Sequence, residues 1–120
     1  MHELSIAQSI MTTVFQEMKR RNITCVKSIG VKIGTLSGVM PEALQFSYEA
    51  ITRDTPLSDT ALIIEHVPLL AECNLCGKQF KVENIAFFCP ACHSVDVTLL
   101  QGEELDITYL EIEDADLNDR

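Results

Sequence analysis

The chain has 120 residues, of which 47% are hydrophobic and 22% are charged, a composition typical of a globular protein with a modest core. Nine Lys and Arg against eighteen Asp and Glu give a net charge of −9. This charge argues against nucleic-acid binding, because nucleic-acid binders concentrate basic residues on one face. No apolar run reaches the roughly 18 residues that a membrane span needs, and no secretory signal precedes the first element. We therefore expect a cytoplasmic protein that binds neither nucleic acid nor membrane.

The first predicted element is an amphipathic helix from Glu3 to about Arg21. Ser5 followed by Gln8 fits a capping box at its start, and Asn22 is a plausible stop. Its last turn, Lys19-Arg20-Arg21, is cationic and complements the helix dipole. The apolar stripe that predicts the helix has residues at three- and four-residue steps: Leu4, Ala7, Ile10, Met11, Val14 and Met18.

A strand and a second helix follow. Residues 26–34 alternate, which predicts a strand whose covered face carries Ile29, Val31 and Ile33. Cys25, just before this strand, is expected to be a buried, inert thiol. Pro41 suits the first turn of a helix that runs to about Thr52.

Two more strands are predicted, at residues 61–67 and 104–112, with paired cysteines between them. The last strand alternates cleanly, which places Leu105, Ile107 and Tyr109 on one face. These elements predict an α+β fold, with two helices on a three-stranded sheet and an inserted zinc-ribbon-like module. Residues 1–70 plus 101–115 form the predicted main domain, 71–100 the inserted domain and 116–120 an acidic C-terminal tail.

Four cysteines carry the strongest chemical signal: Cys73, Cys76, Cys89 and Cys92 form two C-x2-C pairs. Paired cysteines without a signal peptide favour metal binding over disulfides. A closed shell of four thiolates is typical of structural zinc, and iron is the main competitor in a tetrahedral sulfur site. We expect residues 79–82 and 85–88 to form a short hairpin between the pairs.

His93 follows the second pair, at a position where such turns often carry glycine. It is a candidate additional zinc ligand, although a complete set of four thiolates favours an exposed turn histidine.

Met1-His2-Glu3 is a second concentration of ligand atoms. The α-amino group, the amide nitrogen of His2 and its imidazole Nδ1 can close adjacent chelate rings around one ion. Glu3 adds an amide nitrogen and a carboxylate. Planar, nitrogen-rich donor sets suit Ni(II) or Cu(II) rather than zinc.

The sequence Met1-His2-Glu3-Leu4-Ser5, the Lys32-Ile33-Gly34 strand end and the two inserted C-x2-C pairs resemble the HypA/HybF family over essentially the whole chain. The resemblance implies a nickel metallochaperone for [NiFe]-hydrogenase maturation, with nickel on His2 and Glu3 and structural zinc on the four cysteines. It also implies two partners, a HypB-type nucleotide hydrolase and the hydrogenase large-subunit precursor. We expect the protein to be a monomer or weak dimer. Some members carry an acidic nickel-proximal side chain near the second helix, for which Glu42 is the candidate.

Two other function classes remain open from the residues alone. The first is a zinc-ribbon interaction module that transports no metal, which leaves the N-terminal motif unexplained. The second is an enzyme. The sequence shows no Ser/His/Asp set, no phosphate-cradling glycine loop and no open zinc site. His66 lies in a predicted strand, which favours a structural role over a catalytic one. The expected protein is therefore not an enzyme.

Overall fold

The computed structural model describes residues 2–84 and 86–112, so the predicted acidic tail at 116–120 lies outside the described residues. A short 3-10 helix at Thr35–Ser37 lies between the first strand and the second helix. No helix among the described residues is long and apolar enough to cross a membrane. The helices and strands are α1 (Glu3–Arg21), β1 (Val26–Gly34), α2 (Pro41–Thr52), β2 (Ala61–Val67), β3 (Leu70–Cys73), β4 (Gln79–Lys81), β5 (Val97–Gln101) and β6 (Leu105–Ile112).

The first sheet has the order β2-β1-β6, with β1 parallel to β2 and antiparallel to β6. The predicted covered face of β1 is confirmed, since Ile29, Val31 and Ile33 are all buried. Both helices contribute to the core on this face, through residues that include Ala7, Val14, Leu44 and Tyr48. The predicted α+β class, with two helices and a three-stranded sheet, is therefore confirmed.

Strand β6 does not alternate as the sequence predicted. Gly30 lies opposite Tyr109, but the next residue of β1, Val31, lies opposite Ile107, so Thr108 is an extra residue in a β-bulge. Because the bulge resets the alternation, Ile107 and Leu110 both pack against the core, while Tyr109 is 48% exposed. The predicted two-faced pattern of this strand was wrong for that reason.

The ends of α1 correct one prediction and confirm another. The helix begins at Glu3 with His2 as its N-cap, and no side chain caps it, so the capping box predicted at Ser5 and Gln8 was wrong. Asn22 ends the helix in the left-handed conformation (φ 57°), as the sequence predicted. Cys25 is exposed rather than buried, because the buried residues of β1 begin only at Val26.

The cysteine module is built on a second sheet, ordered β4-β3-β5 with both pairs antiparallel. The predicted hairpin was wrong: β4 pairs with β3, residues 86–88 form no strand, and residue 85 lies outside the described part of the chain. A small separate core fills this sheet, from Leu69, Ala71, Cys73, Phe80, Val82 and Cys89. The exact domain boundaries stay a prediction.

The chain returns from the second sheet to the first through a close backbone crossing. The amide of Leu36 donates to the carbonyl of Gly102 (2.7 Å), and the amide of Gly34 donates to the carbonyl of Glu104 (2.7 Å). A Cβ atom on Gly34 would collide with the backbone of Gly102. The module is thereby fastened to the segment that leads from β1 into α2.

Candidate metal sites

The two C-x2-C pairs meet in space as the spacing predicted. The Sγ atoms of Cys73 and Cys92 are 3.5 Å apart, as are those of Cys76 and Cys89, and all four sulfurs lie within 4.8 Å of one another. A tetrahedral zinc with Zn–S distances of about 2.3 Å places its sulfurs about 3.8 Å apart. The four-cysteine group therefore fits a structural zinc ion.

The first cysteine of each pair is buried and receives backbone N–H groups. The amide of Cys76 points at the sulfur of Cys73 (3.5 Å), and that of Ala91 points at the sulfur of Cys89 (3.4 Å). Amides of Cys92 and Ala91 lower the pKa of Cys89 to about 6, because a thiolate accepts hydrogen bonds better than a thiol. Amides led by that of Cys76 likewise lower the pKa of Cys73.

The second cysteine of each pair is exposed and has a raised pKa. The largest single effect lowers the pKa in each case: it is the hydrogen bond from the backbone at Lys78 for Cys76 and at Ser94 for Cys92. Hydrogen bonds with neighbouring sulfurs, led by Cys89 for Cys76 and by Cys73 for Cys92, together with burial outweigh it and raise the pKa of Cys92 to about 12. Without metal, the cluster therefore makes deprotonation easier at the buried cysteines, Cys73 and Cys89, and harder at the exposed ones, Cys76 and Cys92. A divalent cation is needed to hold four thiolates together.

His93 occupies the position that Gly77 occupies in the first knuckle. Both residues have positive φ, 63° for His93 and 79° for Gly77, and each donates its amide to the carbonyl of the first cysteine of its pair. The His93 ring lies beside Phe88 with the ring centroids 6.1 Å apart. His93 is not among the clustered ligand atoms, which favours an exposed turn histidine.

Replacing His93 by glycine is expected to stabilise the module by up to about 1 kcal/mol, because a side chain in the left-handed region is strained. Thermal unfolding of the zinc-loaded protein measures this gain. The mirror substitution, Gly77→His, places the same strain in the first knuckle and should lower the melting temperature. A lower melting temperature for His93→Gly would contradict this reading of the turn.

The N-terminal residues lie where α1 meets the start of α2. His2 is exposed as the N-cap of α1. The Glu3 side chain connects the start of α1 to the start of α2, because its Oε2 accepts the backbone N–H of Met40 at 3.0 Å. That amide belongs to the N-cap residue of α2, an end that favours negative charge. The Met40 bond is the main reason that the pKa of Glu3 is lowered.

The structure does not gather a set of side-chain ligands around His2. Within residues 2–84 and 86–112, the four cysteines form the only group of three or more metal-ligating side chains that converge. Glu42 is exposed in the first turn of α2, and His66 lies 3.3 Å from the hydroxyl of Thr35. The side chains of the described residues therefore do not form a closed metal shell at His2.

Sequence reasoning missed the contact between Glu3 and Met40. Pro41 at the first position of α2 was a partial signal, because a helix start leaves backbone N–H groups without helical partners. Which acid would accept such an N–H depends on how α1 packs against α2, and no local pattern contains that information.

A family model and curated relatives of known name both match this chain, and they indicate the same family. The family model described as hydrogenase/urease nickel incorporation, metallochaperone, hypA, matches residues 1–112. The hydrogenase maturation factor HypA of Geobacter metallireducens is 42% identical over 113 residues, which cover 94% of this chain and 100% of the relative. The corresponding factor of Geotalea uraniireducens shows the same identity and coverage.

Solved structures show the same fold. The solution structure of the Ni metallochaperone HypA from Helicobacter pylori matches with a TM-score of 0.64 and 25% identity, covering 93% of this chain and 97% of that one. A second solution structure of a HypA protein, at 24% identity, has a TM-score of 0.68 over 93% of this chain and 96% of that one. The chain therefore belongs to the HypA family of nickel-incorporation metallochaperones, which serve hydrogenase maturation and are not enzymes.

Proposed function

We propose that this protein binds Ni(II) at its N-terminus, through His2 and Glu3, and delivers it to the [NiFe]-hydrogenase large subunit during maturation. The observation that carries the proposal is the hydrogen bond from the Met40 amide to the Glu3 carboxylate. This bond fixes the start of α1 against α2 while leaving His2 exposed. An exposed ligand beside a fixed one suits a carrier that has to release its ion.

The donor set consists of nitrogens near the chain start. The α-amino group, the amide nitrogen and the imidazole of His2 supply donors that suit square-planar Ni(II). The N-terminus of α1 disfavours a cation, so deprotonated amides and the Glu3 carboxylate have to offset that effect. Copper(II) is expected to bind more tightly in vitro, and selectivity then comes from metal supply and partner docking.

Glu3 contributes through position more than through its carboxylate. Its Oε2 already accepts the Met40 amide, so the carboxylate orients the residue whose backbone nitrogen can bind nickel. The side chain also places negative charge near the metal. Glu42, in the first turn of α2, lies at the same junction and remains a proposed outer contributor.

The family's role in hydrogenase maturation supports the proposal of two partners. A HypB-type nucleotide hydrolase is the proposed partner, and the large-subunit precursor is the proposed recipient of the nickel. The four-cysteine group holds structural zinc in this proposal, since its closed shell leaves no position for exchange. The proposed carrier is a monomer or a weak dimer.

Titration of Ni(II) into the protein and into its His2→Ala variant tests the nickel site. We expect the nickel affinity to fall at least about 100-fold, because even partners outside the metal shell are worth about 10–100-fold. His66→Ala is the matched control, since His66 is exposed and lies in β2 rather than at the N-terminus. Unchanged nickel affinity in His2→Ala would remove the assignment.

The role of Glu3 needs a graded pair of variants. Glu3→Gln keeps an oxygen that can accept the Met40 amide, whereas Glu3→Ala removes it. If Glu3 acts by position, nickel affinity falls about 10–100-fold in Glu3→Ala and much less in Glu3→Gln. Equal losses in both variants would show that the carboxylate charge matters instead.

A further inference from the structure

A groove runs between the C-terminal half of α1 and strand β6. It encloses about 540 Å³, and β6 is an edge strand of its sheet. Arg20 and Arg21 line one wall, and Leu110 and Ile112 line the other. The groove thus combines an apolar strand with a basic helix end, and β6 ends inside it.

The basic wall carries more positive than negative charge. Arg20 and Arg21 both pair with the Oε2 atom of Glu17, at 2.8 and 2.9 Å, so one carboxylate serves two guanidinium groups. Their side chains remain 63% and 62% exposed. Lys19 adds a third base to the same helical turn. In a chain of net charge −9, this turn is a distinctive place for an acidic segment to bind.

An acidic segment begins where the groove wall ends. Residues 113–120 follow Ile112 directly and contain four acids and one base: Glu113, Asp114, Asp116, Asp119 and Arg120. They lie outside the described residues, and the family match stops at residue 112. The segment is therefore a feature of this chain that the family pattern does not cover.

We propose that residues 113–120 occupy the basic end of this groove, with their carboxylates against Arg20 and Arg21. Exposed ion pairs are individually weak, but a tether converts their formation into an intramolecular event with a high effective concentration. Eight residues span at most about 26–29 Å, and the tether begins at Ile112, a wall residue. The tail then excludes acidic segments of other proteins from the same groove.

Backbone NMR of the 120-residue protein and of a chain ending at Ile112 tests the proposal. Truncation should shift the amide signals of residues 17–23, which are remote in sequence from the cut. Raising the salt concentration to about 1 M should bring the full-length spectrum toward the truncated one, because the Debye length falls to about 3 Å. Shifts confined to the residues next to Ile112, or insensitive to salt, would overturn the proposal.

Two further comparisons identify which segment occupies the groove. Arg20→Gln combined with Arg21→Gln should abolish the effect of truncation, while Arg53→Gln, an exposed base at the end of α2, should leave it intact. Shifts at residues 17–23 that grow with protein concentration would instead assign the groove to a second copy of the chain and overturn the proposal.

Discussion

Replacing Gly34 by valine is expected to destabilise the protein by about 3 kcal/mol or more. A Cβ atom at this position collides with the carbonyl and carbon of Gly102 and with the next backbone nitrogen. Backbone atoms cannot swing aside as a flexible side chain can, so the strand end or the whole return segment has to move. Losses of this size are typical when overpacking cannot be relieved. Chemical denaturation followed by circular dichroism measures the change.

Gly38→Val is the matched control for that experiment. Gly38 has a φ of 77°, but a Cβ atom there meets nothing within 4 Å. Its cost is therefore limited to backbone strain of about 1–2 kcal/mol. If Gly34→Val cost no more than Gly38→Val, the close crossing of the two segments would be wrong.

The crossing also affects the proposed nickel site at the N-terminus. The amide of Leu36 bonds to Gly102, and the chain then runs only a few residues to Met40, whose amide holds Glu3. A change that displaces the return segment therefore has a short covalent and hydrogen-bonded route to the N-terminus. We expect Gly34→Val to weaken nickel binding as well as stability, although it touches no proposed ligand.

Periodicity was sufficient to predict helix α1 and strand β1. The apolar stripe of α1 and the alternation in β1 have their period set by local backbone geometry, and both elements were found at the predicted residues. The adjacent apolar residues Tyr109 and Leu110 interrupt the alternation of β6 in sequence, which was a partial signal of a bulge, but this signal does not identify Thr108 as the extra residue. Only pairing with β1 shows that one residue has no partner.

In the cysteine module, the metal site was predictable from the sequence but the strands were not. Cysteine spacing predicted the sulfur cluster, since two short-range pairs need only one hairpin-like return to meet. The strands were not predictable in the same way. The apolar run before Cys89 was mistaken for the partner of β4, whereas the true partner, Leu70–Cys73, follows Pro68 and looks like a linker. Four residues carry too little periodicity to distinguish these alternatives.

Replacing Cys89 by serine is expected to abolish tight zinc binding and to loosen the module while the main sheet survives. Cys89 is fully buried within the module's own core, and the larger core of helices and first sheet contains no residue of that cluster. Zinc content after dialysis should fall, and far-ultraviolet circular dichroism should keep most of its helical signal. Cys25→Ser is the control, because Cys25 is not part of the four-sulfur cluster. Loss of helix and zinc in one cooperative transition would contradict two semi-independent cores.

Zinc binding should also release protons, and the pKa values of the cysteines determine how zinc affinity changes with pH. The pKa values of Cys76 and Cys92 are raised, so these thiols are protonated near pH 7 and have to lose their protons when zinc binds. Cys89 behaves differently: its pKa is lowered to about 6, so its thiolate form is favoured above that pH and is lost as the pH falls through it. Zinc affinity should therefore fall as the pH decreases, and more steeply below about 6, where Cys89 also takes up a proton. Calorimetric titration in buffers of different ionisation enthalpy measures the number of protons released, which we expect to be at least about two at neutral pH, from Cys76 and Cys92. A zinc affinity that did not change with pH would mean that zinc is not held by the thiolates.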